Sequence, residues 1–292
     1  MNNLVLAVDI GGTHITAALI DVEKRHLLES SLVRTPVDSG AAAAAVVLTW
    51  STCMKAAMQE ATVSKICIAM PGPFDYQGGV SLMTAQGKYE ALYGLNIKQL
   101  LAAQLGTDPQ QLFIKNDAAC FLQGEIFAGA ASSGFDKVVG ITLGTGLGSA
   151  FYEHGIAENA DLWQHPFREG IAEDYLCTRW FVQQYAAVSG TVLKGVKEIA
   201  AHAAADTRIP VLFKEFGKNL GTFLGCFIEM NPAEAVVIGG NITGAYEAFQ
   251  QEMEQVLHKR FPFVEVKRSI LGETAALYGA AGSWHRRQIA GR

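Results

Sequence analysis

No stretch of this sequence approaches the roughly 20 apolar residues that a membrane-spanning helix requires. No charged-then-apolar leader precedes the first apolar run, which opens at Leu4. Charge is sparse: 17% of the residues are acidic or basic, the net charge is −5, and no basic stripe is present. A general nucleic-acid binder needs such a stripe, so that class is set aside. Cysteine is scattered, not paired. Cys53, Cys67, Cys120, Cys177 and Cys226 include no close pair at metal-ligand spacing, and thiols dispersed through apolar segments read as reduced core residues. These absences predict a soluble, cytoplasmic protein with neither nucleic-acid nor membrane partners.

What is present is a large apolar complement and abundant glycine. Half of the 292 residues are hydrophobic, enough for more than one core, and two domains is the natural division at this length. The 30 glycines exceed the average share of about 7%, and several fall at turns between apolar runs. The stretch Leu4–Asp21 organises the rest: a buried-strand run, Leu4–Val8, meets Asp9-Ile10-Gly11-Gly12-Thr13, and a second apolar run, Ile15–Ile20, follows. That is a β-hairpin with a turn nearly free of side chains. Glycines 11 and 12 permit positive φ and let backbone N–H groups face an anion, and Asp9 is placed to hold a hydrated divalent cation beside it. The design returns at Lys137–Tyr152 around Gly144-Thr145-Gly146, and a third glycine turn, Gly239-Gly240-Asn241, ends the apolar run Ala235–Ile238. Two such hairpins suggest a duplicated nucleotide-binding scaffold.

Periodicity supplies the remaining elements. A third strand is expected within His26–Arg34, a helix over Ala41–Ala61 and a short strand over Lys65–Met70 that stops at Pro71-Gly72-Pro73. An irregular polar stretch then runs from Gly78 through Gly94. A helix over Ile97–Leu105, a strand at Leu112–Ile114 and a helix over Ala118–Gly129 follow. Beyond the second hairpin, helices are expected over Glu173–Val188, Val196–Ala205, Leu212–Met230, Ala245–Lys259 and Thr274–Arg286. Strands are expected at Ala235–Ile238 and Val264–Leu271, and an irregular insertion at Glu158–Gly170. This order suits mixed sheets with helices on their faces. The domain boundary is placed at Asp117, giving 1–117 plus 274–292 and 118–273, with the last helix crossing back to the first half.

Five motifs carry a family resemblance: Asp9-Ile10-Gly11-Gly12-Thr13, Pro71-Gly72-Pro73, Asn116-Asp117-Ala118-Ala119 with Gly124-Glu125, Leu143-Gly144-Thr145-Gly146-Leu147-Gly148, and Ile238-Gly239-Gly240-Asn241. Together, in this order and spacing, they resemble the ROK family of sugar kinases. The resemblance implies an α/β fold of the two-domain actin-like ATPase (ribonuclease H-like) type, with its active site in the interdomain cleft. It also implies ATP and Mg2+ as cofactor and metal, a hexose or amino sugar as substrate, and a homodimer. Phosphates would be cradled by Gly11, Gly12, Thr13, Gly144, Thr145 and Gly146, with Asp9 toward the metal. Gly239, Gly240 and Asn241 would lie on the adenine side. Asp117 is implied as the general base that draws the proton from the sugar hydroxyl. Gly72, Gln86, Asn116, Asp117, His165 and Glu173 are implied as sugar contacts.

The chain departs from the family in one segment. Many members carry a zinc-binding cysteine cluster between the positions matching His165 and Glu173. Here that segment is Pro166–Ala172 without cysteine, so no zinc of that kind is expected. Leu162 stands where the usual sugar-binding glutamate would be, which opens the identity of the sugar.

Each assignment has a plainer rival. Asp117 also reads as a helix N-cap, Glu173 as an acid complementing a helix dipole, His165 as a structural histidine and Asp9 as turn chemistry. Three functions follow: an ATP-dependent sugar kinase, favoured here; a transcriptional repressor of the same family, for which no helix-turn-helix precedes Leu4; and a catalytically inactive sugar-binding or regulatory member.

Overall fold

The computed structural model of the chain describes residues 3–85 and 87–290. It forms two compact units: Met1–Ser132 with Glu273–Arg292, and Ser133–Gly272.

In the first unit, strands β1 (Leu4–Ile10), β2 (His14–Asp21) and β3 (His26–Leu27) form an antiparallel meander, and β4 (Val33–Pro36) also pairs with β2. Helix α1 (Ala43–Met58) leads to β5 (Ile66–Met70), and a small hairpin follows, β6 (Phe74–Asp75) with β7 (Val80–Ser81). Helix α2 (Ile97–Leu105) leads to β8 (Leu112–Asn116), then α3 (Asp117–Phe127). The sheet order is β3-β2-β1-β5-β8, with β5 and β8 parallel to β1. Both faces of β1 are covered, which is why it reads as one continuous apolar run. Leu6, Val8 and Ile10 pack with Trp50, Met54 and Ile97, whereas Val5 and Ala7 pack with Cys120, Leu277 and Ala280.

Helix α3 and the C-terminal helix (Ala275–Ala290) meet backbone to backbone. A methyl group on Gly279 would stand 1.6 Å from the Cys120 carbonyl oxygen, and one on Gly124 2.0 Å from that of Ala275. This contact keeps α3 with the first unit. The unit ends at Ser132, past the boundary at Asp117 that the sequence suggested.

The second unit repeats the path. Strands β9 (Val138–Leu143), β10 (Leu147–Glu153) and β11 (Ile156–Asn159) form its meander, and a two-residue pair follows, β12 (Pro166–Phe167) with β13 (Gly170–Ile171). Helices α4 (Ala172–Tyr175), α5 (Thr178–Ser189), α6 (Val196–Ala201) and α7 (Arg208–Met230) precede β14 (Ala235–Gly239). Helix α8 (Gln250–His258) and β15 (Glu265–Arg268) end the unit. The sheet order is β11-β10-β9-β14-β15, again three antiparallel strands followed by two parallel ones. An aromatic stripe on α7 forms the core, Phe216 lying 4.7 Å from Phe181 and 5.2 Å from Phe249 between ring centroids.

Three expected elements are interrupted. The strand within His26–Arg34 divides around a 3₁₀ turn at Glu29–Ser31, where Ser31 Oγ accepts the Leu19 N–H at 2.8 Å. The helix expected over Glu173–Val188 breaks at Leu176-Cys177, because Thr178 turns to hydrogen-bond Gly144. The helix expected over Ala245–Lys259 begins as a 3₁₀ run, Asn241–Ala248, with Ala245 off helical geometry, and is α-helical only from Gln250.

Candidate active site

In the first unit the parallel strands end level with one another. Asp9 on β1 pairs in register with Ala69 on β5, and Met70 with Asn116 on β8. The carboxyl edge of a parallel sheet, where the strand order turns, is where open α/β sheets bind ligands. Three of the sequence motifs meet that edge: Asp9 with the Gly11–Thr13 turn, Pro71-Gly72-Pro73 after β5, and Asn116-Asp117 after β8.

The turn is held by its own carbonyls. Gly11 N–H donates to the His14 oxygen at 2.9 Å, Val37 N–H to the Thr13 oxygen at 2.8 Å, and the Tyr89 hydroxyl to the Gly11 oxygen at 2.6 Å. The N–H groups of Gly12 and Thr13 have no acceptor among the described residues. Neither turn glycine uses the positive φ that its missing side chain permits. A methyl group on Gly11 would meet only the His14 oxygen at 3.5 Å, and one on Gly12 only Lys88 Cδ at 3.7 Å. Ordinary packing would tolerate a side chain at both positions. Bare backbone donors at such a turn suit an anion.

The helix after β8 bears on the capping reading of Asp117. Asn116 is the N-cap: its Oδ1 accepts Ala119 N–H at 3.1 Å and its Nδ2 donates to the Tyr76 hydroxyl at 3.0 Å. Asp117 is the first helical residue, not the cap, and its Oδ1 accepts the adjacent Ala118 N–H at 2.9 Å. The capping explanation for Asp117 is thereby removed. Tyr76 in turn donates to the Met70 oxygen at 3.2 Å, and a methyl on Gly72 would stand 3.1 Å from the Tyr76 hydroxyl. Gly72 thus leaves room for the side chain that orients Asn116.

Asp9 and Asp117 are both half-buried, and the charge of Asp117 is felt at Asp9. Burial, then the Asp117 carboxylate, push the Asp9 carboxyl up to about 7, with Arg34 opposing the rise and Glu273 adding to it. Arg34 also pairs with Glu273. Burial raises the Asp117 carboxyl as well, and the Lys88 ammonium and backbone N–H groups pull it back. Two neighbouring carboxylates, one of them raised by the other, suit a cation. Among the described residues no group of three or more His, Cys, Asp or Glu side chains is arranged to hold a metal. A magnesium ion that keeps most of its waters needs only one or two carboxylates plus phosphate, and Asp9 fits that requirement.

The second unit presents the other turn. Gly144 N–H donates to the Gly146 oxygen at 3.1 Å, while both the N–H and the hydroxyl of Thr178 donate to the Gly144 oxygen at 2.8 Å. Leu147 N–H donates to Glu173 Oε2 at 3.0 Å, so Glu173 braces the turn. A methyl on Gly146 would strike that carboxylate at 2.6 Å, whereas one on Gly144 would meet nothing within 4 Å. Gly240 is different. Its φ is +88°, and a methyl there would stand 2.4 Å from the Leu143 oxygen, so its own chain demands glycine. Gly239 lies in register with Thr142, which brings this motif beside the Gly144 turn, and Asn241 opens the 3₁₀ run that follows.

In the segment matching the family's zinc loop, Phe167 is buried and packs on Tyr175 and Phe223, at 5.6 and 6.2 Å between centroids. Leu162 packs against the same core, its N–H donating to Ser149 Oγ at 2.9 Å. His165 is fixed through its backbone, its oxygen accepting Ala172 N–H at 2.9 Å. Gln86 lies outside the described residues. Four residues passed over in the sequence belong to these turns: Tyr76, Lys88, Tyr89 and Thr178. The one signal for Lys88-Tyr89 was a basic-aromatic pair inside a polar, aperiodic stretch.

Residues 5–161 match the sequence model of the ROK family, and the chain belongs to that family. It is 25% identical over 304 aligned positions to an N-acetyl-D-glucosamine kinase of Photobacterium profundum, covering 94% of this chain and 96% of that protein. Among solved structures, it is similar to a ROK hexokinase from Thermus thermophilus (22% identity, TM-score 0.78, 98% of this chain and 99% of that one). It is also similar to a ROK family glucokinase from Streptomyces griseus in complex with glucose and AMPPNP (23% identity, TM-score 0.77, 95% and 98%). The fold is the actin-like ATPase fold of these proteins, with mixed sheets flanked by helices. Among the described residues, no helix is long and apolar enough to cross a membrane.

Proposed function

We propose that this protein is an ATP-dependent kinase of a hexose or amino sugar, with Asp117 as its general base. The observation that carries the proposal is the division of labour between neighbours: Asn116 caps α3, which leaves the Asp117 carboxylate at the sheet's carboxyl edge beside Asp9. The names of the related kinases support the reaction class.

The first unit supplies the chemistry. Asp117 accepts the proton of the sugar hydroxyl as that oxygen bonds to phosphorus, while the bond to the departing ADP oxygen breaks and ADP keeps the electron pair. Asp9 would hold a hydrated magnesium ion, whose charge would offset that of the nucleotide phosphates. The N–H groups of Gly12 and Thr13, which have no acceptor among the described residues, donate to phosphate oxygens; in the second unit, taken by itself, the N–H groups of Thr145 and Gly146 suit the same kind of ligand. Gly239, Gly240 and Asn241 serve the nucleoside side. In the first unit Asn116, held by Tyr76, serves as a sugar contact; in the second unit His165 and Glu173 are candidates for the same role, Glu173 accepting Leu147 N–H as well. The same reading makes the assembly a homodimer, which sedimentation checks.

ADP release with magnesium-ATP across aldoses, ketoses and amino sugars tests the proposal. Turnover on at least one of them supports it, and no turnover on any overturns it. The engagement of Glu173 with the turn favours one second reading, a sugar-binding member without catalysis. That reading expects calorimetric sugar binding and no ADP.

A further inference from the structure

Lys88 has no part in the roles assigned above, yet the first unit places it among them. Its stem crosses the glycine turn, 3.7 Å from where a Gly12 methyl would stand. Its charge reaches Asp117, whose carboxyl it holds down against burial. Lys88 is half-buried, and no hydrogen bond or ion pair engages its ammonium among the described residues. The backbone that presents it is fixed by the next residue. Tyr89 is fully buried, its N–H donates to the Ser39 oxygen at 2.8 Å, and its hydroxyl donates to the Gly11 oxygen at 2.6 Å. An ordered segment therefore delivers an uncommitted cation to the phosphate turn and to the proton acceptor together.

We propose that Lys88 is a further catalytic residue whose ammonium donates hydrogen bonds to the non-bridging oxygens of the phosphoryl group in transfer. This rests on the sugar-kinase reading. In that reaction the phosphoryl group leaves the nucleotide at the Gly12–Thr13 turn and arrives at the oxygen whose proton passes to Asp117. A cation near both points lies beside the group in flight. The transition state spreads negative charge over three equatorial oxygens, and a preorganised donor there is worth more than one in water. Lys88 forms no covalent bond and keeps its proton throughout.

The test compares Lys88→Met and Lys88→Gln with wild type and Lys88→Arg. Affinities for ADP and for a non-hydrolysable ATP analogue are measured calorimetrically with magnesium, then kcat and KM for whichever sugar wild type phosphorylates. Loss of the ammonium is expected to weaken the ATP analogue about tenfold while leaving ADP within about twofold. The kcat should fall about 10²–10³-fold with sugar KM little changed. Lys88→Arg should recover at least a tenth of wild-type kcat, since a cation is restored. Two neutral variants are used so that if thermal melting shows one to be poorly folded, the other decides. Folded variants that bind both nucleotides and turn over like wild type overturn the role of Lys88 and leave Asp117 as base untouched. A wild-type protein that binds nucleotide but phosphorylates no sugar overturns the kinase reading, and this proposal with it.

Discussion

The two glycine turns are built on the same sheet order, yet they are not equivalent. Two residues before the first turn glycine stands Asp9, paired across the hairpin with Thr16. At the matching place before Gly144 stands Thr142, opposite Gly148. A second carboxylate, Asp117, approaches the first turn, whereas the second is flanked by Gly240 and braced by Glu173 and Thr178. Backbone donors are therefore found at both turns, whereas the acid Asp9 at the first is matched by the neutral Thr142 at the second. A repeated scaffold can present bare backbone donors twice while placing different ionisable side chains in each copy.

The largest effect that sharpens this contrast is expected at Asp117. Asp117→Asn leaves the Asn116 cap intact, so melting temperature and nucleotide affinity should change little. Removal of a positioned base should lower turnover about 10²–10⁴-fold. Asn116→Ala should do the reverse in part, costing about 0.5–2 kcal/mol of stability through the lost cap. A stable Asp117→Asn protein with near-wild-type turnover would remove this residue from the mechanism.

That pair also shows where sequence was sufficient. Asn116-Asp117 was legible as the junction of a strand and a helix, but the cap was read at Asp117 and lies at Asn116. Only the bond from Ala119 N–H to Asn116 separates them. The hairpins were legible because glycine and alternation are local signals. Lys88 and Tyr89 were not, since their positions depend on Ser39 and Gly11, many residues away. The break between α4 and α5 arises from the same kind of long-range bond, Thr178 to Gly144, which no helical periodicity reports. The requirement for glycine at 240 comes from Leu143, far earlier in the chain. The boundary at Ser132 follows from the Gly124 and Gly279 helix contact, again invisible to local pattern.

Glycine substitutions come next in expected size. Gly240→Ala places a residue with a side chain at φ +88° against the Leu143 backbone, and should destabilise by about 2–4 kcal/mol. Gly144→Ala and Gly12→Ala meet no such obstacle and should melt within about 0.5 kcal/mol of wild type. Their expected loss is in nucleotide affinity, about tenfold, because the methyl stands where phosphate would approach. Equal destabilisation at all three positions would break the distinction between glycine kept for the fold and glycine kept for a ligand.

A smaller effect separates the turns by pH. The folded-state pKa of Asp9, about 7, lies above its ordinary value of 3.8, so between those values the folded protein holds a proton that the unfolded chain releases. Stability contributed by this group therefore falls as pH rises through that window, and the full penalty applies above it. Asp9→Asn removes the penalty and should stabilise the protein at pH 8 by on the order of 1–3 kcal/mol, with little gain near pH 4. Thr142→Val at the matching place should show no such pH dependence. Parallel melting curves of the two variants across pH 4–8 decide this, and a pH-independent gain for Asp9→Asn would contradict the buried-acid account.

The smallest expected effect concerns what holds each turn. Tyr89→Phe deletes the hydroxyl that donates to the Gly11 oxygen at 2.6 Å, and Thr178→Val deletes one of two donors to the Gly144 oxygen. A single such bond is worth about 0.5–1.5 kcal/mol net. Among the described residues the Gly11 carbonyl keeps no other donor, whereas the Gly144 carbonyl retains the Thr178 N–H. Tyr89 is also fully buried and packs edge-on to Trp50 at 5.2 Å, so its ring should keep its place without the hydroxyl. Tyr89→Phe should therefore cost about 1 kcal/mol, and Thr178→Val less. The functional consequences should diverge further. Loosening the first turn disturbs the phosphate donors beside Asp117 and should lower kcat, while loosening the second should raise the nucleotide KM with kcat nearly unchanged. If both variants shift kcat and KM alike, the two turns share one task, and the assignment of chemistry to the first unit loses its support.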